Sequence, residues 1–126
     1  MRAFIALELP ADFADDVAAM ARRLSASLDG RFLDRSTYHL TLAFLGDIDD
    51  AEASRAMDAL DAACAGSASV LLAPDGLGKF GRPADATLWL GVAPDPALLS
   101  LAERVREELA ARDVPFDPKP FRPHIT

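Results

Sequence analysis

His39 and His124 are the two histidines of the chain, and each stands two residues ahead of a threonine, Thr41 and Thr126. Imidazole is the side chain whose ordinary titration lies nearest neutral pH, so two of them can give and take protons within one reaction cycle. Hydroxyl groups beside them offer donors for charge that develops on an oxygen. With only four threonines in 126 residues, composition does not account for both coincidences. Either histidine alone reads most simply as a satisfied core residue, but the matched pair argues for a site.

The spacing supplies a geometry. In Y-H-L-T-L-A-F-L-G, running from Tyr38 to Gly46, the apolar residues Leu40, Leu42 and Phe44 alternate with His39, Thr41 and Ala43, the period-two pattern of a half-buried strand. Residues i and i+2 of a strand share a face, so His39 and Thr41 are expected to point into one cleft. Pro118, Pro120 and Pro123 precede His124; they exclude helix and hold the residues ahead of them extended. His124 and Thr126 are therefore also expected to share a strand face.

The elements that must position these strands follow in order. Phe4 to Leu9 reads as a first strand ended by Pro10. Asp12 is expected to cap a helix with the stripe Phe13, Val17, Met20, Leu24 and Leu28, stopped by Gly30. Arg31 to Arg35 reads as a short strand, and Asp50 as the cap of a second helix whose stripe is Ala53, Met57, Leu60 and Cys64, with Cys64 packed inside. Val70 to Ala73 reads as a strand paired with Thr87 to Ala93, and the glycine-rich stretch between them as a long hairpin loop. That stretch is no P-loop, since Lys79 is followed by Phe80, Gly81, Arg82 and Pro83 where Ser or Thr should open a helix. Asp95-Pro96 opens a third helix with the stripe Leu98, Leu101, Ala102, Val105 and Leu109, and Val114 to Phe116 reads as a short strand.

Aligned on the histidines, these elements repeat. A strand and a capped helix precede His39, and again precede His124; the strand-to-histidine separations are 35 (39 − 4) and 36 (124 − 88) residues. The expected fold is α/β (α+β), bilobal and pseudo-twofold, with the motif strands meeting between the lobes.

Composition bounds the rest. A chain of 126 residues that is 51% hydrophobic and 26% charged can bury the core of one domain. No apolar run approaches a membrane span, and Glu8 interrupts the N-terminal stretch where a signal peptide would stay apolar. The protein is expected to be cytoplasmic. One cysteine, Cys64, excludes an internal disulfide, and two histidines make a poor catalytic zinc site; neither a metal nor another cofactor is expected. The net charge of −7 argues against broad binding to a nucleic-acid backbone. Any phosphate site must be local, and Arg31, Arg35, Lys79, Arg82, Lys119 and Arg122 are the cations near the motifs and the central loop.

H-L-T-L-A-F-L-G, G-L-G-K-F-G-R-P followed by T-L-W-L-G, and the closing P-F-D-P-K-P-F-R-P-H-I-T resemble the RNA 2′,3′-cyclic phosphodiesterase branch of the two-histidine (2H) phosphoesterases, also known as RNA 2′,5′-ligase-like proteins. The resemblance runs from Met1 to Thr126. It implies mostly antiparallel sheets with flanking helices around a central cleft, and metal-independent hydrolysis of an RNA or nucleotide 2′,3′-cyclic phosphate to the 2′-phosphomonoester. It implies His39 as proton donor, His124 as proton acceptor, and Thr41 and Thr126 as phosphate ligands. Lys79, Phe80 and Arg122 are further candidate substrate contacts. The partners implied are RNA ends or nucleotides bearing a cyclic phosphate, with no membrane and no obligate protein partner.

The family pattern continues beyond the second motif, so the single domain 1–126 is expected to be C-terminally incomplete, with its second lobe truncated. Two other readings compete. One is a non-catalytic nucleotide or RNA-end binding module of the same fold. The other is a small domain of the RNA-recognition type, disfavoured by the acidic charge and by an expected lack of exposed aromatic pairs on adjacent strands.

Overall fold

The computed structural model describes residues 1–26, 35–80 and 87–125. In chain order it contains β1 (Arg2–Glu8), α1 (Ala11–Ser25), a 3-10 turn (Arg35–Thr37), β2 (His39–Asp47), α2 (Asp50–Cys64), β3 (Pro74–Phe80), β4 (Thr87–Val92), α3 (Pro96–Ala111) and β5 (His124–Ile125). The five strands form one sheet in the order β1-β2-β5-β4-β3, and every neighbouring pair is antiparallel.

The repeat is realised as β1-α1-β2 and β4-α3-β5, whose second strands lie side by side at the middle of the sheet. The two lobes are thus halves of one continuous sheet, with β3 added outside β4. Leu40 of β2, Leu90 and Val92 of β4 and Ile125 of β5 are buried in one core with Leu98, Leu101, Val105 and Leu109 of α3. Strand residues of the other parity, His39, Thr41 and His124, therefore belong to the opposite face of the sheet.

α3 follows its pattern closely. Asp95 caps it by accepting from the Leu98 amide at 3.2 Å, and Leu98, Leu101, Ala102, Val105 and Leu109 are all buried. α2 departs from expectation in two ways. Its cap is Asp49, not Asp50, because Glu52 stands three residues on: Asp49 accepts from the Glu52 amide at 2.7 Å and Glu52 accepts from the Asp49 amide at 3.0 Å. Its most buried row is Ala56, Ala59 and Ala63, small residues that let α2 lie close against α3. The expected row is rotated, leaving Ala53 and Leu60 partly buried, Met57 63% exposed and Cys64 exposed.

Other boundaries move as well. α1 has Pro10 at its N-cap with no side-chain cap, and Asp12 lies in its first turn, where a negative charge complements the helix dipole. Leu28 and Gly30 lie outside the described residues, as do positions 31–34 of the expected strand, and Arg35 opens the 3-10 turn. Val114 completes the end of α3, its amide donating to the Leu109 carbonyl at 3.0 Å after Asp113 adopts a left-handed φ of 56°, so no strand forms at 114–116.

The strand expected at Val70–Ala73 forms instead at Pro74–Phe80, inside the segment read as a loop. Pro74 occupies the first position of an edge strand, where its missing N–H is tolerated. Gly76, at φ 74°, lies in a register shift between Pro74 and Leu77. There the chain crosses so near β4 that a Cβ at Gly91 would run into the Asp75 carbonyl oxygen, which requires glycine at that position.

Candidate active site

β2 and β5 pair with Leu40 opposite Ile125. Counting antiparallel from that pair, Thr41 stands across from His124, and His39 is its diagonal neighbour on the same face. Diagonal neighbours have Cα atoms roughly 7–8 Å apart, a separation that admits a small ligand group between two imidazoles. On the far side of β5, Gly91 is the partner of His124. His39, Thr41 and His124 are all half-buried.

The two imidazoles are held alike. His39 Nδ1 lies 2.8 Å from the Thr37 carbonyl oxygen, and His124 Nδ1 lies 2.7 Å from the Arg122 carbonyl oxygen, each two residues back. A carbonyl only accepts, so Nδ1 must carry the hydrogen, and in the neutral form of both rings the lone pair lies on Nε2. Thr37 closes the 3-10 turn, which Arg35 pins to α1 by donating to Asp15 at 2.7 Å and to the Ala11 carbonyl at 3.0 Å. Arg122 precedes Pro123, which restricts its ψ and fixes the direction of its carbonyl. Arg106 of α3 steadies the same segment by donating to the Lys119 carbonyl at 2.7 Å.

Each imidazole also meets an aromatic ring from the strand beyond it. Phe4 of β1 stacks on His39 at 4.9 Å between centroids and 24° between planes, and Trp89 of β4 contacts His124 at 5.5 Å and 56°. A depression of about 520 Å³ opens on the β1 side of His39, with Phe4, Ala6, Glu8, Thr37 and Tyr38 in its lining; His124 is not part of that lining.

The residues singled out by sequence are only partly brought together. His39, Thr41 and His124 share one face. Thr126, Arg31, Arg82 and the side chains of Lys79 and Phe80 lie outside the described residues. The Arg122 side chain is exposed, and its contribution visible here is the backbone carbonyl under His124. Sequence reasoning missed Phe4, Trp89 and the two carbonyl anchors; strand parity could have found the rings, and nothing in residue type points to the carbonyls. Among the described residues, no three His, Cys, Asp or Glu side chains converge as a metal ligand set.

Residues 9–126 match the family described as the 2′-5′ RNA ligase superfamily. The chain belongs to that superfamily. Among curated relatives, it is 37% identical over 125 residues to an RNA 2′,3′-cyclic phosphodiesterase of Geobacillus stearothermophilus, covering 98% of this chain and 40% of that protein. It is 32% identical over 126 residues to the Escherichia coli (strain K12) protein of the same description, covering 99% and 69%. Among solved structures, E. coli LigT complexed with 3′-AMP superposes with a TM-score of 0.74 at 27% identity, covering 99% of this chain and 70% of that one. The Thermus thermophilus protein TT0787 gives a TM-score of 0.72 at 26% identity, covering 100% and 72%. The α+β fold with paired central strands is therefore that of the superfamily. The chain spans 40% of the Geobacillus relative and about 70% of the others.

Proposed function

We propose that residues 1–126 act as one domain that hydrolyses a 2′,3′-cyclic phosphate at the end of an RNA or on a nucleotide, releasing the 2′-phosphomonoester. The single observation that carries this reading is the equivalent anchoring of the two imidazoles, each with Nδ1 on a backbone carbonyl. In the proposed reaction His124 takes a proton from water as the water oxygen attacks phosphorus. His39 gives a proton to the ribose 3′ oxygen as the P–O3′ bond breaks, and one proton is taken for each one given. Thr41 and Thr126 donate to the non-bridging oxygens, where charge concentrates in the transition state. Acid, base and hydroxyl donors together suffice for this hydrolysis, so the proposed mechanism uses no metal. Arg122, Lys79 and Phe80 are proposed as outer contacts to the substrate.

The similar proteins named RNA 2′,3′-cyclic phosphodiesterase and the LigT structure with 3′-AMP support a nucleotide or RNA end as substrate. No helix of the described residues is long and apolar enough to cross a membrane, and a cytoplasmic location is part of the proposal. The test is incubation with 2′,3′-cyclic AMP and chromatographic identification of the product. The 2′-monophosphate is expected. A 3′-monophosphate would reverse the roles of the leaving oxygens, and tight binding without turnover would favour a non-catalytic end-binding module.

A further inference from the structure

The face of the sheet that carries the histidines continues past them along β1 and β2. Phe4 and Phe44 are register partners on those strands, and both are solvent-facing, at 51% and 38% exposure. The expected lack of exposed aromatic pairs on adjacent strands is thereby overturned. The two rings diverge: Phe4 leans onto His39 at 4.9 Å, and Phe44 lies under the Arg2 guanidinium, whose central carbon is 5.4 Å from the ring centroid.

The cause is visible in the ladder. Register shifts between Ala3 and Phe4 and between Ile5 and Ala6 give β2 an extra residue at each step, so Ala43 and Leu45 turn inward and Phe44 turns outward. A regular strand would have buried Phe44 with Leu40 and Leu42, as its alternation predicts. The bulges bury Ala43 and Leu45 in its stead and leave a large apolar ring where water meets it. The result is a row of planar groups, imidazole, phenyl, phenyl and guanidinium, running from the acid–base pair toward the start of β1. From Arg2 to Glu8, the partner of His39, a strand of this kind extends about 20 Å.

Aromatic rings exposed on adjacent strands of a sheet are surfaces on which single-stranded bases stack, and a neighbouring arginine adds both stacking and attraction to phosphate. The chain's charge of −7 makes a local platform of this kind more useful than a general basic face. We propose that Phe44 and Arg2, continuing from Phe4, form a stacking subsite for the single-stranded RNA that leads into the cyclic-phosphate end. The occupant is RNA upstream of the terminal nucleotide. The inference rests on the reading of the site given above, and it makes the enzyme selective for RNA ends over free cyclic nucleotides.

The experiment compares kcat/KM on 2′,3′-cyclic AMP with that on a tetranucleotide ending in a 2′,3′-cyclic phosphate, in the wild type and in Phe44→Ala, Phe44→Trp and Arg2→Met. The wild type is expected to prefer the tetranucleotide. Phe44→Ala should lower kcat/KM on the tetranucleotide roughly tenfold to a hundredfold through KM, leave cyclic AMP turnover unchanged, and be rescued by Phe44→Trp. Arg2→Met should weaken the tetranucleotide reaction and reduce its salt dependence. Equal losses on both substrates, or an unchanged tetranucleotide reaction in Phe44→Ala, would overturn the proposal. Fluorescence anisotropy of a labelled tetranucleotide ending in a 2′-phosphate reads the same variants without turnover. Binding that falls in Phe44→Ala upholds the subsite even if hydrolysis fails; no binding by the wild type, or equal binding by both, rejects it.

Discussion

Leu40 and Ile125 face each other across β2 and β5, and at 0% and 2% exposure they are sealed beneath the helices. That pairing is what turns His39, Thr41 and His124 outward together. The hydrophobic core and the candidate site are therefore set by one register, and a slip of one residue would reverse both.

His39→Ala and His124→Ala are each expected to lower turnover of a cyclic phosphate by about two to four orders of magnitude, the contribution of a positioned acid or base. Steady-state kinetics of the two variants, with circular dichroism to verify folding, checks this. Wild-type turnover in either folded variant would remove that histidine from the mechanism.

Thr41→Val keeps the β-branched shape that suits a strand and deletes the hydroxyl. A loss of about a hundredfold in kcat is expected if the hydroxyl meets charge that develops in the transition state. A rise in KM with kcat unchanged would instead make Thr41 a ground-state contact.

With two histidines in the chain, the ring nitrogens are open to direct reading by ¹⁵N NMR. Both neutral imidazoles should carry hydrogen on Nδ1, because Thr37 and Arg122 present carbonyls there. Hydrogen on Nε2 of either neutral ring would contradict its proposed role.

Turnover should persist after dialysis against EDTA, since the proposed acid, base and hydroxyl donors need no ion to complete them. Loss of activity on chelation, restored by adding a divalent metal, would replace the proposed mechanism with a metal-assisted one.

Gly91→Ala should destabilise the fold by about 1–3 kcal/mol, the usual range for a clash forced into tight packing, because its Cβ meets the Asp75 carbonyl. Thermal or denaturant unfolding measures this. A neutral result would mean that the turn at Gly76 yields without cost.

Much of this is legible because some residues carry their meaning in their type. The leucines and valine of α3 mark one face, and the two His-x-Thr triplets point to the candidate site. α2 is harder to read, since Ala56, Ala59 and Ala63 carry no strong signal in a chain that is 51% hydrophobic, while the bulkier Met57 points outward. β3 escapes a reading by type because Pro74, Gly76 and Gly78 are turn residues, and only an edge position with a bulge makes them a strand. Phe44 follows the alternation that should bury it, and the ladder's register shifts, which depend on β1, reverse its direction. Such features arise between segments, so no window along one segment contains them.

The order β1-β2-β5-β4-β3 also has a temporal meaning. β1–β2 and β3–β4 are antiparallel pairs made from nearby sequence, while β5 joins them through Leu40 and Leu90, each paired with Ile125. Leu40 and Ile125 are 85 residues apart (125 − 40), so this is a late, entropically costly closure. Without residues 124 and 125 the sheet has no strand between β2 and β4, and the chain has one imidazole. Completing the sheet and bringing the second imidazole beside the first are therefore the same event.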